Sequence, residues 1–98
     1  MSARYFRSRT DGPHKDIGRT LRKVTVCLDV HGFGPIGCDF LAKHLITKQP
    51  MFLEVKDPSK PPSARQLTSN ETFMSLAFEA NYRVVMTADE ALAAVGAK

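Results

Sequence analysis

The chain has 98 residues, 43% of them apolar and 24% charged, which suits one globular domain and excludes wholesale disorder or a fibre. Its apolar runs are only a few residues long and no apolar stretch follows the arginines of the N-terminal MSARYFRSRT, so neither a membrane span nor a secretory leader is expected and the cytoplasm is the expected compartment. Lys and Arg number 14 against 10 Asp and Glu, with seven basic and two acidic residues through Lys23 but seven and eight after it, so a polyanion such as nucleic acid would meet the N-terminal end first. Two cysteines are too few for a disulfide framework.

Residues 1–10 read as a flexible basic arm carrying Arg4, Arg7 and Arg9, with Tyr5 and Phe6 among them, and residues 11–98 as a single domain. Asp11 is placed to cap a helix with Gly12 and Pro13 in its first turn, and Ile17, Leu21 and Val24 give that helix an apolar stripe. Val24 to Val30 is β-branched and reads as a strand, and the glycines and proline of His31 to Gly37 make a loop. Asp39 to Leu45 and Met51 to Lys56 read as two further strands joined by a turn over Thr47 to Pro50. The three prolines of Asp57 to Ser63 exclude regular structure. Thr68 and Glu71 form a capping box for a helix whose Phe73, Met74 and Phe78 are expected in the core. Tyr82 to Met86 is a fourth strand, and Thr87 with Glu90 opens a closing helix that ends near Gly96. The order α-β-β-β-α-β-α predicts an α/β (α+β) fold with a small mixed sheet covered by helices.

The chemistry concentrates between Gly37 and Lys56. Glu54 and Lys56, at i and i+2 of one strand, project from the same face, and hairpin pairing brings Asp39 beside them. Two carboxylates and an ammonium suit a hard divalent cation and a phosphodiester: the carboxylates hold the ion, and the lysine orients the attacking water or steadies developing charge. Spacing alone leaves a plainer reading open, an amphipathic strand with two solvated charges. Cys27, His31, Cys38 and His44 match no zinc-finger spacing. His31, close in sequence to Asp39, is better placed to touch substrate.

Three stretches resemble one family: Gly-Cys-Asp-Phe at Gly37–Phe40, Leu53–Thr68 with its Glu-Val-Lys core, and Tyr82–Leu92. Together they resemble the virus-type replication-repair nuclease (VRR-NUC) domain of the PD-(D/E)xK superfamily, in its compact phage form, over about residues 11–95. The resemblance implies a restriction-endonuclease-like core. It makes Asp39 and Glu54 the metal-binding acids, with Val55 at the same Mg²⁺ or Mn²⁺ site, and Lys56 the motif lysine. It assigns Asp16, on the inward side of the first helix, to the place of the family's helix acid, where members usually carry Glu. Cys38 stands for a family proline, and Glu71, where many members have Gln, is assigned to helix capping. Arg65 is implied to contact a phosphate, with Lys60 as a less specific contact.

The implied function is metal-dependent hydrolysis of DNA phosphodiester bonds, selective for branched or junction DNA in phage replication, recombination or repair. No small-molecule cofactor is expected. A homodimer would make paired cuts, with Ala91–Val95 and the helix from Thr68 as candidate interfaces. The alternative is a nucleic-acid-binding protein of the same fold that has lost cleavage; a pure protein-interaction module is a third class.

Overall fold

The computed structural model describes residues 12–33 and 36–98; the basic arm with Arg4, Arg7 and Arg9, and the Asp11 cap, lie outside them. Helix α1 (Gly12–Val24) is followed by strands β1 (Cys27–Asp29), β2 (Phe40–Lys43) and β3 (Pro50–Val55). A 3₁₀ turn (Pro62–Arg65), helix α2 (Ser69–Phe78), a second 3₁₀ turn (Glu79–Asn81), strand β4 (Tyr82–Val85) and helix α3 (Ala88–Ala94) complete the chain. The sheet order is β1-β2-β3-β4. The first three strands form an antiparallel meander, and α2 crosses over to place β4 parallel to β3. The described residues therefore form an α+β fold with a mixed four-stranded sheet and three helices, as the pattern predicts.

Strand alternation divides the sheet into two faces. Phe40, Ala42, Met51, Leu53, Val55 and Val85 project towards α1 and α3, where Ile17, Leu21, Ala91, Ala94 and Val95 close the main core. Of the candidate interface segment Ala91–Val95, Ala91, Ala94 and Val95 are thus taken up by internal packing, which leaves Ala93 exposed and Leu92 half-buried. The opposite face carries a smaller cluster of Val30, Cys38 and Tyr82, against which Leu41, Phe52 and Met74 pack. β1 is shorter than expected because α1 continues through Val24 and only three residues find partners on β2.

Helix α2 begins where the sequence places it. The Thr68 hydroxyl accepts the Glu71 N–H, and the Glu71 carboxylate accepts the Thr68 N–H at 2.8 Å. The box at α3 is half formed, since Glu90 reaches the Met86 N–H at 2.7 Å instead of its own cap. The first turn of α2 rests on Gly37, where a Cβ would stand 2.4 Å from the Asn70 carbonyl. Tyr82 donates its hydroxyl to the Gly37 carbonyl at 2.8 Å, and the Gly37 N–H meets Met74 Sδ at 3.1 Å. This close approach fixes α2 over one end of β3 and β4.

The rest of α2 departs from expectation. Met74 packs inward and Phe78 lies against Phe52 with ring centroids 4.4 Å apart, but Phe73 and Leu76 are 69% and 73% exposed. The helix is apolar on more than one side, and only one side reaches the sheet. Among the described residues, no helix is long and apolar enough to cross a membrane.

Candidate functional site

The β2–β3 hairpin register puts Phe40 opposite Leu53, so Asp39 stands beside the end of β3. Its N–H donates to the Leu53 carbonyl at 2.8 Å, and its Oδ2 accepts the Val55 N–H at 2.7 Å. Glu54 projects from the face that α2 covers. Lys56 lies just beyond the strand, with Nζ 3.3 Å from Glu54 and 3.0 Å from Glu71. Asp39, Glu54 and Lys56 are therefore brought together. Val55 buries its side chain in the core and offers the site only its main chain. The site is not at a solvated sheet edge: Glu54 and Lys56 are 6% and 8% exposed, because β3 is an interior strand and the first turn of α2 closes over it. Glu71 does more than cap its helix, since the oxygen that accepts the Thr68 N–H also accepts from Lys56.

The charge balance here is uneven. Burial, together with the charges of Asp39 and Glu71, pushes the Glu54 carboxyl up to about 9. Burial also raises Asp39, outweighing its bond from the Val55 N–H. Glu71 is held below the usual carboxylate range: burial opposes this, but the Thr68 N–H and the Lys56 ammonium outweigh it. Lys56 is raised in turn, since the carboxylates of Glu71 and Glu54 overcome its own desolvation. Glu54 and Glu71 thus share the Lys56 ammonium with a third carboxylate, Asp39, close by, an arrangement that a proton or a cation must balance. The Cys38 thiol, pushed up to about 12 by burial and then by the neighbouring carboxylates, is no nucleophile at neutral pH.

A second group of polar residues adjoins the first. His14, on the inward face of α1 and 3% exposed, directs Nε2 to Asp29 Oδ2 at 3.1 Å and Nδ1 towards Asp39 Oδ1 at 3.6 Å. His31 binds the other Asp29 oxygen through Nδ1 at 3.0 Å and through its N–H at 3.1 Å. Burial tends to raise Asp29, but the bonds from His14 and His31 prevail and hold it below the ordinary carboxylate range. His14 Nδ1 and His31 Nε2 are buried with no hydrogen-bond partner among the described residues. Ligand atoms of His14, Asp29 and His31 lie within 4.8 Å of one another. Surplus carboxylate charge and orphaned imidazole nitrogens both fit a divalent cation.

Asp16, in contrast, faces solvent. Its side chain is 63% exposed and lies 3.7 Å from Arg19 of the same helix. The physical reason is helical phase: His14, Ile17 and Leu21 at i, i+3 and i+7 share the buried face, and Asp16 is rotated away from it. His14 and Asp29 are the residues that sequence reasoning missed. The first was legible from that spacing; the second becomes visible only when α1 docks against β1.

Beside His14, an open depression of about 230 Å³ is lined by Lys15, Gly18, Arg19, Arg22, Asp29 and Phe40. Arg65 is half-buried in the 3₁₀ turn, with Nη1 3.9 Å from Met86 Sδ and Nε buried without a partner among the described residues. Lys60 is exposed in the proline-rich connection. Compared with known proteins, the chain matches no family model, no curated protein and no solved structure.

Proposed function

We propose that the chain is a divalent-metal-dependent DNA endonuclease with a PD-(D/E)xK, restriction-endonuclease-like core of the VRR-NUC type. The observation that carries this reading is the convergence of Asp39 with the buried Glu54 and Lys56 at the end of β3. Stability alone does not call for it, because well-packed apolar residues serve a core at least as well as buried ion pairs. The motif likeness of Gly37–Phe40, Leu53–Thr68 and Tyr82–Leu92 supports the same reading.

Asp39 and Glu54, with the main chain of Val55, would hold Mg²⁺ or Mn²⁺. Bound there, the ion supplies Lewis-acid neutralisation of negative charge on the phosphodiester oxygens. Lys56 steadies charge on the phosphate under attack or orients the attacking water, which enters in line with the departing 3′ oxygen. Glu71 is a positioning residue that fixes the direction of the Lys56 ammonium. Lys15, Arg19 and Arg22 offer the DNA backbone a basic path to the site. Arg65 provides a guanidinium with no carboxylate partner among the described residues. Lys60 is a further exposed cation, and Arg4, Arg7 and Arg9 add basic charge to the N-terminal end of the sequence. Paired cutting of branched or junction DNA would require a homodimer, for which the exposed Phe73 and Leu76 of α2 offer one apolar surface.

A binding protein without cleavage is the second reading. It is favoured by Lys56 being engaged by two carboxylates and by Asp16 standing outside the site. Incubating plasmid and four-way-junction DNA with Mg²⁺ or Mn²⁺ separates the two. Nuclease activity predicts nicking that EDTA and Glu54→Ala both abolish. Binding without nicking in either metal, by wild-type protein with native circular dichroism, overturns it.

A further inference from the structure

We infer that His14 is a direct metal ligand of this site through Nδ1, held in the required tautomer by Asp29, so that the site prefers Mn²⁺ to Mg²⁺. The inference rests on the metal-dependent reading of Asp39 and Glu54. An ionised carboxylate only accepts hydrogen bonds. Asp29 accepts from His14 on one oxygen and from His31 on the other, which puts the His14 proton on Nε2 and leaves the lone pair on Nδ1. That nitrogen is buried, has no hydrogen-bond partner among the described residues and looks across 3.6 Å at Asp39 Oδ1.

Two electron pairs facing each other away from water are unfavourable unless positive charge lies between them. The gap is long for a hydrogen bond. It is close to the span of two ligands of one ion, because bonds of about 2.0–2.2 Å place adjacent ligand atoms roughly 2.8–3.1 Å apart at a right angle and roughly 3.3–3.6 Å apart at the tetrahedral angle. A ring whose far nitrogen donates to a carboxylate is also the usual setting of a metal-binding histidine. The ring has little freedom to turn away, lying 4.5 Å from Phe40 and 4.8 Å from His31 between centroids. Imidazole nitrogen suits first-row transition ions, whereas Mg²⁺ keeps to oxygen. The competing arrangement is a doubly protonated His14 that bridges Asp29 and Asp39 as an ion pair.

Electron spin echo envelope modulation on the full chain loaded with Mn²⁺ distinguishes the two, with affinities for Mn²⁺ and Mg²⁺ measured by calorimetry. Wild type and His31→Gln should both show a directly coordinated ¹⁴N, and His14→Gln should lose it. Asp29→Asn should weaken Mn²⁺ binding by about 10–100-fold, the effect usual for removing an outer-shell partner, and should affect Mg²⁺ less. Mn²⁺ binding that requires Asp39 but shows no nitrogen coupling overturns this inference and leaves the nuclease reading intact. Coupling that survives His14→Gln, or is lost in His31→Gln, overturns it equally. Failure of the wild type to bind Mn²⁺ at all removes both. Should His14→Gln not fold, the spectra of wild type and His31→Gln still decide the matter.

Discussion

Replacing Glu54 by Gln tests the buried charge surplus most directly. In the folded protein the Glu54 carboxyl is raised from 4.5 to about 9, so between those values the native state holds a proton that the unfolded chain has released. The sign follows from linkage: where the folded state binds more protons, stability falls as pH rises. The slope is at most about 1.4 kcal/mol per pH unit for one proton, or about 2–3 kcal/mol between pH 6 and 8. Asp39, also raised by burial, can add to the loss. Lys56 is raised and Glu71 lowered, so both hold their charge in folded and unfolded chains across this window and contribute little slope. Gln keeps the shape of the side chain and has no proton to lose. Urea unfolding followed by circular dichroism in EDTA at pH 6, 7 and 8 should therefore show wild type losing stability relative to Glu54→Gln as pH rises. Histidine titration is common to both proteins and largely cancels in the difference. A cation that displaces the proton should bind wild type up to about tenfold more tightly per pH unit. A stability difference that stays constant from pH 6 to 8 would refute the reasoning.

Asp16→Asn should leave both cleavage and stability within about 0.5 kcal/mol of wild type, as a change at an exposed side chain, whereas Lys56→Ala should abolish nicking and destabilise by about 3 kcal/mol, since it strands the ionised Glu71 without its ammonium; DNA nicking assays and urea titrations read both. Gly37→Ala should loosen α2, because its Cβ would overlap the Asn70 carbonyl at 2.4 Å, and amide exchange should rise first in Ser69–Phe78. Light scattering should return a dimer for wild type and a monomer of 10.9 kDa for Phe73→Asp with Leu76→Asp; a wild-type monomer removes paired cutting. Deleting residues 2–9 should weaken DNA binding and flatten its salt dependence by up to about three phosphate contacts, measured by fluorescence anisotropy over a salt series, with turnover of bound substrate little changed.

Local signals in the chain determined the order of elements and their kinds. The change from helical to strand periodicity, the Thr68–Glu71 box and the prolines after Asp57 each act over a few residues, where backbone sterics and capping decide the outcome. The proximity of Asp39, Glu54 and Lys56 was legible for the same reason: a short hairpin leaves few registers, and alternation aligns i with i+2. Burial of that trio, and the identities of its neighbours, came only with tertiary packing. Glu71 reaches Lys56 because Gly37 lets the start of α2 settle onto the sheet, and His14 reaches Asp29 across fifteen positions because Ile17 and Leu21 set the rotation of α1. The two segments named as candidate interfaces are buried to different extents for a related reason. Ala91–Val95 and Phe73–Leu76 are equally apolar as strings of residues; small side chains let α3 press into the main core beside α1, whereas α2, anchored at its first turn, meets the sheet along one side and leaves Phe73 and Leu76 facing outward.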